Sequence, residues 1–509
     1  MRHFWKYDLI PLLSMGAVCA FPCIFMYARN ASEVAAGSML PFLIVFSGNA
    51  LVLFGLASIL LRNVSRAAFW TDLAMLVIIN FCLLAVNLKH ALPFLRDRYL
   101  LAVLILILAA VYVLLLRNKP DLRTGCLLVL IGFGAMCVIN LGLAVPAIAR
   151  GRQVRELHGD RAREEFGAQD PFDLSGVTFA GGDRPNVYLF LFDEYGGYEN
   201  LLHYYDYDNS PFLNQLADRG FTVAYESRNT EAIHTDTIVP NLLNLNYVVR
   251  VEESGHKKAV YRNNCQMYRM FRANGYQVNL INQVDYLGTE GVRVLTSHQT
   301  RRTISEFLMR NSIYNKFPLF RDLLEQFFVS DYGANYRASL DNALTVSLDC
   351  WKETGDSPTL TIGYIQCPHA PTMVGPRGEA LPFANGWLWT DHSLYLGQTE
   401  FINQFILELT DNIQANDPDA LILLLSDHGN RYALHMVDIG QWETYDPHAE
   451  NPYMQNVLSC VYYRGRSFPI EGETGINTLR IVFNDVFGTD LPPVEPIVDF
   501  TDAAGDERA

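Results

Sequence analysis

Basic residues are in the minority: 39 Lys and Arg stand against 54 Asp and Glu, a formal net charge of −15. A surface of that sign repels phosphate backbones, so nucleic acid is excluded as a partner. The nine cysteines include no CxxC pair and no zinc-ribbon spacing. No internal repeat is present, which sets solenoids and propellers aside. Charge is also scarce in residues 1–150, which consist largely of long apolar runs, whereas residues 151–509 have the composition of a soluble acidic protein. At 509 residues the chain exceeds one ordinary domain.

What fills the first part is hydrophobic sequence of spanning length. About 20 apolar residues cross a bilayer core, and five segments qualify: roughly 9–28, 38–61, 68–88, 99–116 and 125–148. The first lacks a small-residue cleavage site and is followed by four more, so it reads as a span rather than a signal peptide. Arg2 and Lys6, then Arg62 and Arg66, then Arg117, Lys119 and Arg123 fall on one side. Lys89, Arg96 and Arg98 fall on the other. The excess places the N-terminus in the cytoplasm and the C-terminal domain outside it, in a multi-pass protein of the cell membrane. Residues 1–149 are thus a transmembrane region with five helices. Residues 150–184, charged and without an apolar face, form a connector at the membrane surface. Residues 185–490 make the second domain and 491–509 a fraying tail. Cys19, Cys23, Cys82, Cys126 and Cys137 lie in apolar runs as packing residues. Cys265, Cys350, Cys367 and Cys460 lie in the soluble part, where an oxidising space would permit disulfides.

From Pro185 onward apolar runs alternate with amphipathic patterns. Strands are expected at 186–192, 220–225, 276–281, 359–365, 420–425 and 457–463. Helices are expected near 208–219, 235–245, 264–274, 334–352, 394–415 and 475–487. This alternation predicts an α/β fold with a mostly parallel sheet flanked by helices. Two of the strands end in ligands for hard cations. Leu421–Leu425 runs into Ser426, Asp427, His428 and Gly429, and Asn186–Phe192 runs into Asp193 and Glu194. Open α/β sheets place their ligands at the carboxyl ends of strands, so the two ends together point to one bipartite metal site. Between them lies TEAIHTDTIVPNLLNLNY, residues 230–247. A threonine ahead of a helix is first of all an N-cap. Beside a divalent cation, the same hydroxyl at a helix N-terminus is a nucleophile for phosphorus or sulfur.

The order NVYLFLFDE, then a threonine before a helix, then SDHG, resembles the alkaline phosphatase/sulfatase superfamily. With five spans ahead of it, the chain looks like the membrane-anchored branch that includes lipoteichoic acid synthases and lipid A phosphoethanolamine transferases. The resemblance implies Asp193, Glu194, Thr235, Asp427 and His428 as metal ligands, with Thr235 also the nucleophile. Thr237 and then Thr230 are the alternatives, because the family serine falls at Ile238 and the family glycine is absent. His369, in CPHAP, is similar to the sulfatase PHxP histidine, and Arg431 is placed to face an anionic ester oxygen. His435 and His448 follow at spacings where some relatives keep another ligand. His234 stands beside Thr235 as a possible base. Trp387, Trp389 and Tyr395 form an aromatic cluster that reads first as core packing.

One further absence matters. Ordinary sulfatases need C/S-x-P-x-R for conversion to formylglycine, and this chain has Thr-Asp-Thr-Ile-Val there. The resemblance therefore implies transfer of a phospho-head-group, phosphoglycerol or phosphoethanolamine, from a membrane lipid to an envelope glycan or lipid. The divalent metal is Mn, Mg or Zn, among which the ligand types do not choose. The competing readings are a sulfatase-like phosphoric or sulfuric ester hydrolase and a non-catalytic binding protein on the same fold.

Overall fold

The computed structural model describes residues 9–30, 36–91, 96–156, 173–253, 255–263, 265–284, 287–288, 291–297, 308, 312–317, 330–382 and 388–498. They fall into two compact units, one split between Met1–Leu157 and Arg302–Tyr332, the other between His158–Arg301 and Gly333–Ala509.

The first unit contains α1 (Leu9–Asn30), α2 (Leu40–Leu61), α3 (Val64–Ala91), α4 (Asp97–Asn118) and α5 (Arg123–Glu156). All five are long and apolar enough to cross a membrane. They carry large apolar side chains outward, such as Leu51 on α2, Leu106 on α4 and Val138 on α5, as helices facing lipid do. Residues 312–317, far along the chain, pack into this unit. Tyr314 stacks on Phe46 and its hydroxyl accepts from Asn49, while Lys316 pairs with Asp97 at 2.8 Å. The connector expected at 150–184 begins as the last turns of α5; its residues 157–172 lie outside the described residues.

The second unit is built on a seven-stranded sheet of order β2-β7-β6-β1-β5-β3-β4. Its strands are β1 (Val187–Phe192), β2 (Thr222–Ala224), β3 (Gln277–Asn282), β4 (Arg293–Val294), β5 (Thr359–Ile365), β6 (Leu421–Ser426) and β7 (Ser459–Tyr463). The centre is parallel, β1 lying between β5 and β6, with β3 and β4 continuing it. Strand β7 runs antiparallel to β6, and β2 antiparallel to β7. The expected mixed but mostly parallel sheet is thus present, with the two-residue β4 as an additional, unforeseen edge.

Alternation along the strands explains why they read as continuous apolar runs. Val187, Leu189 and Leu191 enter one core with Leu421, Leu423 and Leu425. Tyr188, Phe190 and Phe192 enter the other with Ile422 and Leu424. Helices α8 (Thr235–Asn244), α10 (Gln266–Ala273) and α15 (Gly475–Phe487) cover the first face; α7 (Ser210–Asp218), α11 (Ser330–Leu348) and α12 (His392–Asn416) cover the second. Each fully buried Leu, Ile or Phe contributes about 1.5–3 kcal/mol, so a sheet apolar on both faces requires both layers. The remaining helices, α6 (Tyr198–Tyr205), α9 (Gly255–Asn263), α13 (Tyr432–Asp438) and α14 (Pro447–Met454), are short and were not foreseen. Cys265 belongs to the first core and Cys350, Cys367 and Cys460 to the second, all as buried thiols outside any disulfide.

Register delivers the site. Phe192 pairs with Ser426 on one side and Ile365 on the other, so the residues that follow each strand emerge side by side at one edge.

Candidate active site

Asp193 follows β1 and Asp427 and His428 follow β6. A carboxylate oxygen of each aspartate and a ring nitrogen of the histidine lie within 4.8 Å of one another, all three residues buried. Helix α8 begins at this edge. Thr235, its first residue, places Oγ1 3.3 Å from Asp193 Oδ1 and 3.1 Å from His428 Nε2. The His428 Nδ1–H donates to the Gly429 carbonyl at 2.9 Å, which leaves Nε2 as the lone-pair nitrogen facing the hydroxyl. Gly429 is required by close approach: a Cβ there would stand 2.5 Å from the Asn456 carbonyl oxygen.

The surroundings fix each group. The Tyr364 hydroxyl donates to Asp193 Oδ2 at 2.7 Å. Asp427 Oδ1 accepts from the backbone N–H groups of Glu194 (3.2 Å) and His428 (2.9 Å). Its Oδ2 is buried with no hydrogen-bond partner among the described residues. Asn229 donates to the backbone carbonyls of Ser426 and Asp427, pinning the end of β6. Burial raises both aspartates above the usual carboxylate range; the Asp427 charge adds to this at Asp193, against the pull of His369 and His428. Burial and then Arg431 push His428 down to about 4, so its ring is neutral at pH 7. Two adjacent buried carboxylates, an orphaned oxygen and a neutral imidazole nitrogen are a donor set that fits a divalent cation.

Glu194 sits next to Asp193 but its carboxylate faces elsewhere. Its backbone adopts a left-handed conformation, φ +57°, held by its N–H on Asp427 and by the Tyr395 hydroxyl on its carbonyl at 2.8 Å. Oε1 accepts from His435 Nε2 at 2.7 Å and from the Arg431 backbone N–H at 2.9 Å, and Oε2 lies 3.5 Å from His369 Nε2. Burial would raise this carboxyl, but His435, His369 and Arg431 together hold it well below its ordinary value. The Arg431 guanidinium also lies 3.3 Å from His234 Nδ1 and 3.3 Å from His369 Nε2. Trp389 stacks on the His435 ring, 3.6 Å between centroids.

The structure therefore brings Asp193, Thr235, Asp427 and His428 into one cluster. Glu194, His369, Arg431, His234 and His435 form a second, adjoining one. The alternative hydroxyls are engaged elsewhere: Thr237 is buried and turned to Asp236, and Thr230 donates to the Ile497 carbonyl. His448 is exposed on α14. Tyr395 is a fixed hydrogen-bonding residue at Glu194 rather than simple packing, and Trp387 lies outside the described residues. Tyr364 and Asn229 were missed from sequence. Tyr364 carries a signal only in its place on β5, one residue short of the strand's end.

No family model matches the chain, and no curated protein matches it. Solved structures of the branch named by the sequence resemblance are among those it is similar to. The lipooligosaccharide phosphoethanolamine transferase EptA of Neisseria meningitidis, an integral membrane protein, is 14% identical over 94% of this chain and 95% of that one, with a TM-score of 0.42. The C-terminal periplasmic domain of EptC from Escherichia coli, in complex with zinc, is 12% identical over 66% of this chain and 91% of its own, with a TM-score of 0.40. The corresponding domain of phosphoethanolamine transferase EptC from Campylobacter jejuni is 11% identical over 60% and 90%, with a TM-score of 0.36. At such values function has to be read from this chain's own residues.

Proposed function

We propose that the protein is a membrane enzyme that transfers a phospho-head-group from a lipid to an extracytoplasmic glycan or lipid, with Thr235 as nucleophile. The observation that carries this reading is the Thr235 hydroxyl, half-buried at a helix N-terminus and within 3.3 Å of both Asp193 and His428. Asp193, Asp427 and His428, with Thr235 itself, would hold a divalent cation; Glu194 adjoins them through its backbone. Such an ion, when bound, lowers the cost of the alkoxide and draws charge from a phosphoryl oxygen.

The chain's own groups do the rest. Thr235 Oγ forms the bond to phosphorus as the lipid alkoxide departs, leaving the head-group phosphate esterified to the threonine. An acceptor hydroxyl or amine then attacks the same phosphorus and releases Thr235. The N-terminus of α8 favours negative charge at this point. Arg431 donates to the ring nitrogens of His234 and His369, which fixes its guanidinium where it would orient the non-reacting ester oxygens. The basic-loop excess of the spans places the catalytic unit outside the cytoplasm.

Peptide mass spectrometry of full-length protein from native membranes, over residues 230–250, tests this directly. A phosphoglycerol or phosphoethanolamine adduct on Thr235 is expected. An adduct on Thr237 would keep the chemistry and move the nucleophile. An unmodified peptide together with metal-dependent cleavage of nitrophenyl phosphate or sulfate esters without lipid would make the protein a hydrolase. Absence of both adduct and bound metal would leave a binding protein.

A further inference from the structure

Between α2, α3 and α4 lies a groove of about 780 Å³ whose lining carries almost no polar surface. Its hollow comes from small residues: Ala57 on α2 and Ala109 on α4 leave space that leucines elsewhere on these helices would fill. Trp70 and Tyr112, packed edge to face at 5.2 Å, are part of its wall, and the Trp70 indole N–H is satisfied by the Leu108 carbonyl at 3.0 Å. The groove thus offers shape and dispersion contacts and almost no polar surface. In a bilayer, lipid tails are as apolar as leucine, so such a groove gains little from hydrophobicity alone. Any selectivity has to come from what stands at its end.

That end is basic on α3 and α4 and just past the end of α2. Arg66 is four residues before Trp70 on α3, and Arg117 four residues after the groove residue Val113 on α4. Residues three or four apart share a helix face, so α3 and α4 each place a guanidinium one turn beyond the groove and on its side. Arg62, the C-cap residue of α2 in left-handed conformation, follows the groove residue Ile59 by three positions and stands at the same end. Lys119 and Arg123 stand at the same end of the bundle, against one exposed acid, Asp121, which accepts from the Arg123 backbone N–H. Arg66 Nε is buried and has no hydrogen-bond partner among the described residues. Loop charge alone would orient the protein in the membrane; it does not require arginines in register with an apolar groove.

We propose that this groove binds one anionic phospholipid, an acyl chain between Ala57, Trp70 and Ala109 and the phosphate among Arg62, Arg66 and Arg117. By the same loop charges the site opens to the cytoplasmic leaflet. It is therefore separate from the donor lipid of the proposed reaction and does not depend on that reading.

Native mass spectrometry of the delipidated full-length protein in detergent, titrated with phosphatidylserine or phosphatidylcholine, whose head groups are not those of the proposed transfer, tests the site. Wild type should retain one phosphatidylserine with a preference over phosphatidylcholine of about tenfold or more, as several basic contacts imply. Ala109→Trp, at an exposed position facing the groove, should abolish retention of both. Ala109→Leu replaces it if the tryptophan variant aggregates. Arg62→Gln with Arg117→Gln should keep the protein folded and erase the preference. Equal retention of the two lipids by wild type, retention by the groove-filled variants at the wild-type level, or an unchanged preference in the arginine variant would each overturn the proposal.

Discussion

Asp193 and Glu194 are neighbours in the chain and opposites in their surroundings. Asp193 points toward a second buried carboxylate, Asp427, and its pKa is raised. Glu194 points toward Arg431, His369 and His435, and its pKa is lowered. One residue step, with the left-handed backbone at Glu194, separates a pair of adjoining carboxylates from a carboxylate surrounded by basic side chains. A buried charge is tolerated only if something neutralises it. The two halves of the site solve that problem differently, so substitutions in them should have different consequences.

The largest effect is expected at the junction. Thr235→Ala removes the proposed nucleophile and should lower head-group transfer by at least about a thousandfold, whereas Thr235→Ser should retain activity within about tenfold. Transfer of a labelled lipid head group by purified full-length protein measures both. Comparable activity in wild type and Thr235→Ala would remove the threonine from the mechanism.

Next come the two carboxylates, measured as thermal or denaturant stability of chelator-treated protein. Glu194→Gln breaks an ion-paired, hydrogen-bonded carboxylate and should destabilise by about 3–5 kcal/mol. Because its folded pKa is depressed below 4.5, the stabilisation from Glu194 is present above the unfolded pKa. It disappears as pH falls through the folded value, so the penalty of the substitution should shrink in acid. Asp427→Asn should do the reverse. It removes a buried negative charge whose Oδ2 has no hydrogen-bond partner among the described residues, and should stabilise the metal-free protein by about 2–3 kcal/mol while abolishing metal retention. If both variants shift stability in the same direction, the contrast between the halves is wrong.

Much of this arrangement was legible because parallel strands advertise themselves. With both faces of β1 and β6 covered, every residue from Val187 to Phe192 and from Leu421 to Leu425 is apolar, and the ligands stand where the apolar runs stop. The order of motifs around it singles out Thr235 as a candidate. What stayed hidden depends on direction rather than identity. Nothing in the dipeptide Asp193-Glu194 states that the second residue takes positive φ and turns its carboxylate to His435. That histidine is on α13, seven residues long and without a recognisable apolar stripe. Tyr364 is one aromatic residue among several in strands, and only the register of β5 against β1 carries its hydroxyl to Asp193. The short helices α6 and α14 are set by Asn200 and Asn456, whose side chains bind backbone groups distant in sequence. Local patterns do not encode such contacts.

Glu231 provides a third case. It lies four residues before Thr235, buried, and neither carboxylate oxygen closes a hydrogen bond among the described residues. Burial pushes its carboxyl up to about 7. It has neither the cations that surround Glu194 nor the second carboxylate and imidazole that make Asp193 a candidate metal ligand, so a proton is the remaining way to neutralise it. The folded pKa is above the unfolded one, so the native state binds more protons between about pH 4.5 and 7. Stability should therefore fall as pH rises through that window. Glu231→Gln mimics the protonated form and should flatten the fall, stabilising by about 1–2 kcal/mol at pH 8 with little effect at pH 5. Chemical denaturation of wild type and variant at the two pH values measures this. An equal effect at both would mean that Glu231 is neutralised by something other than a proton.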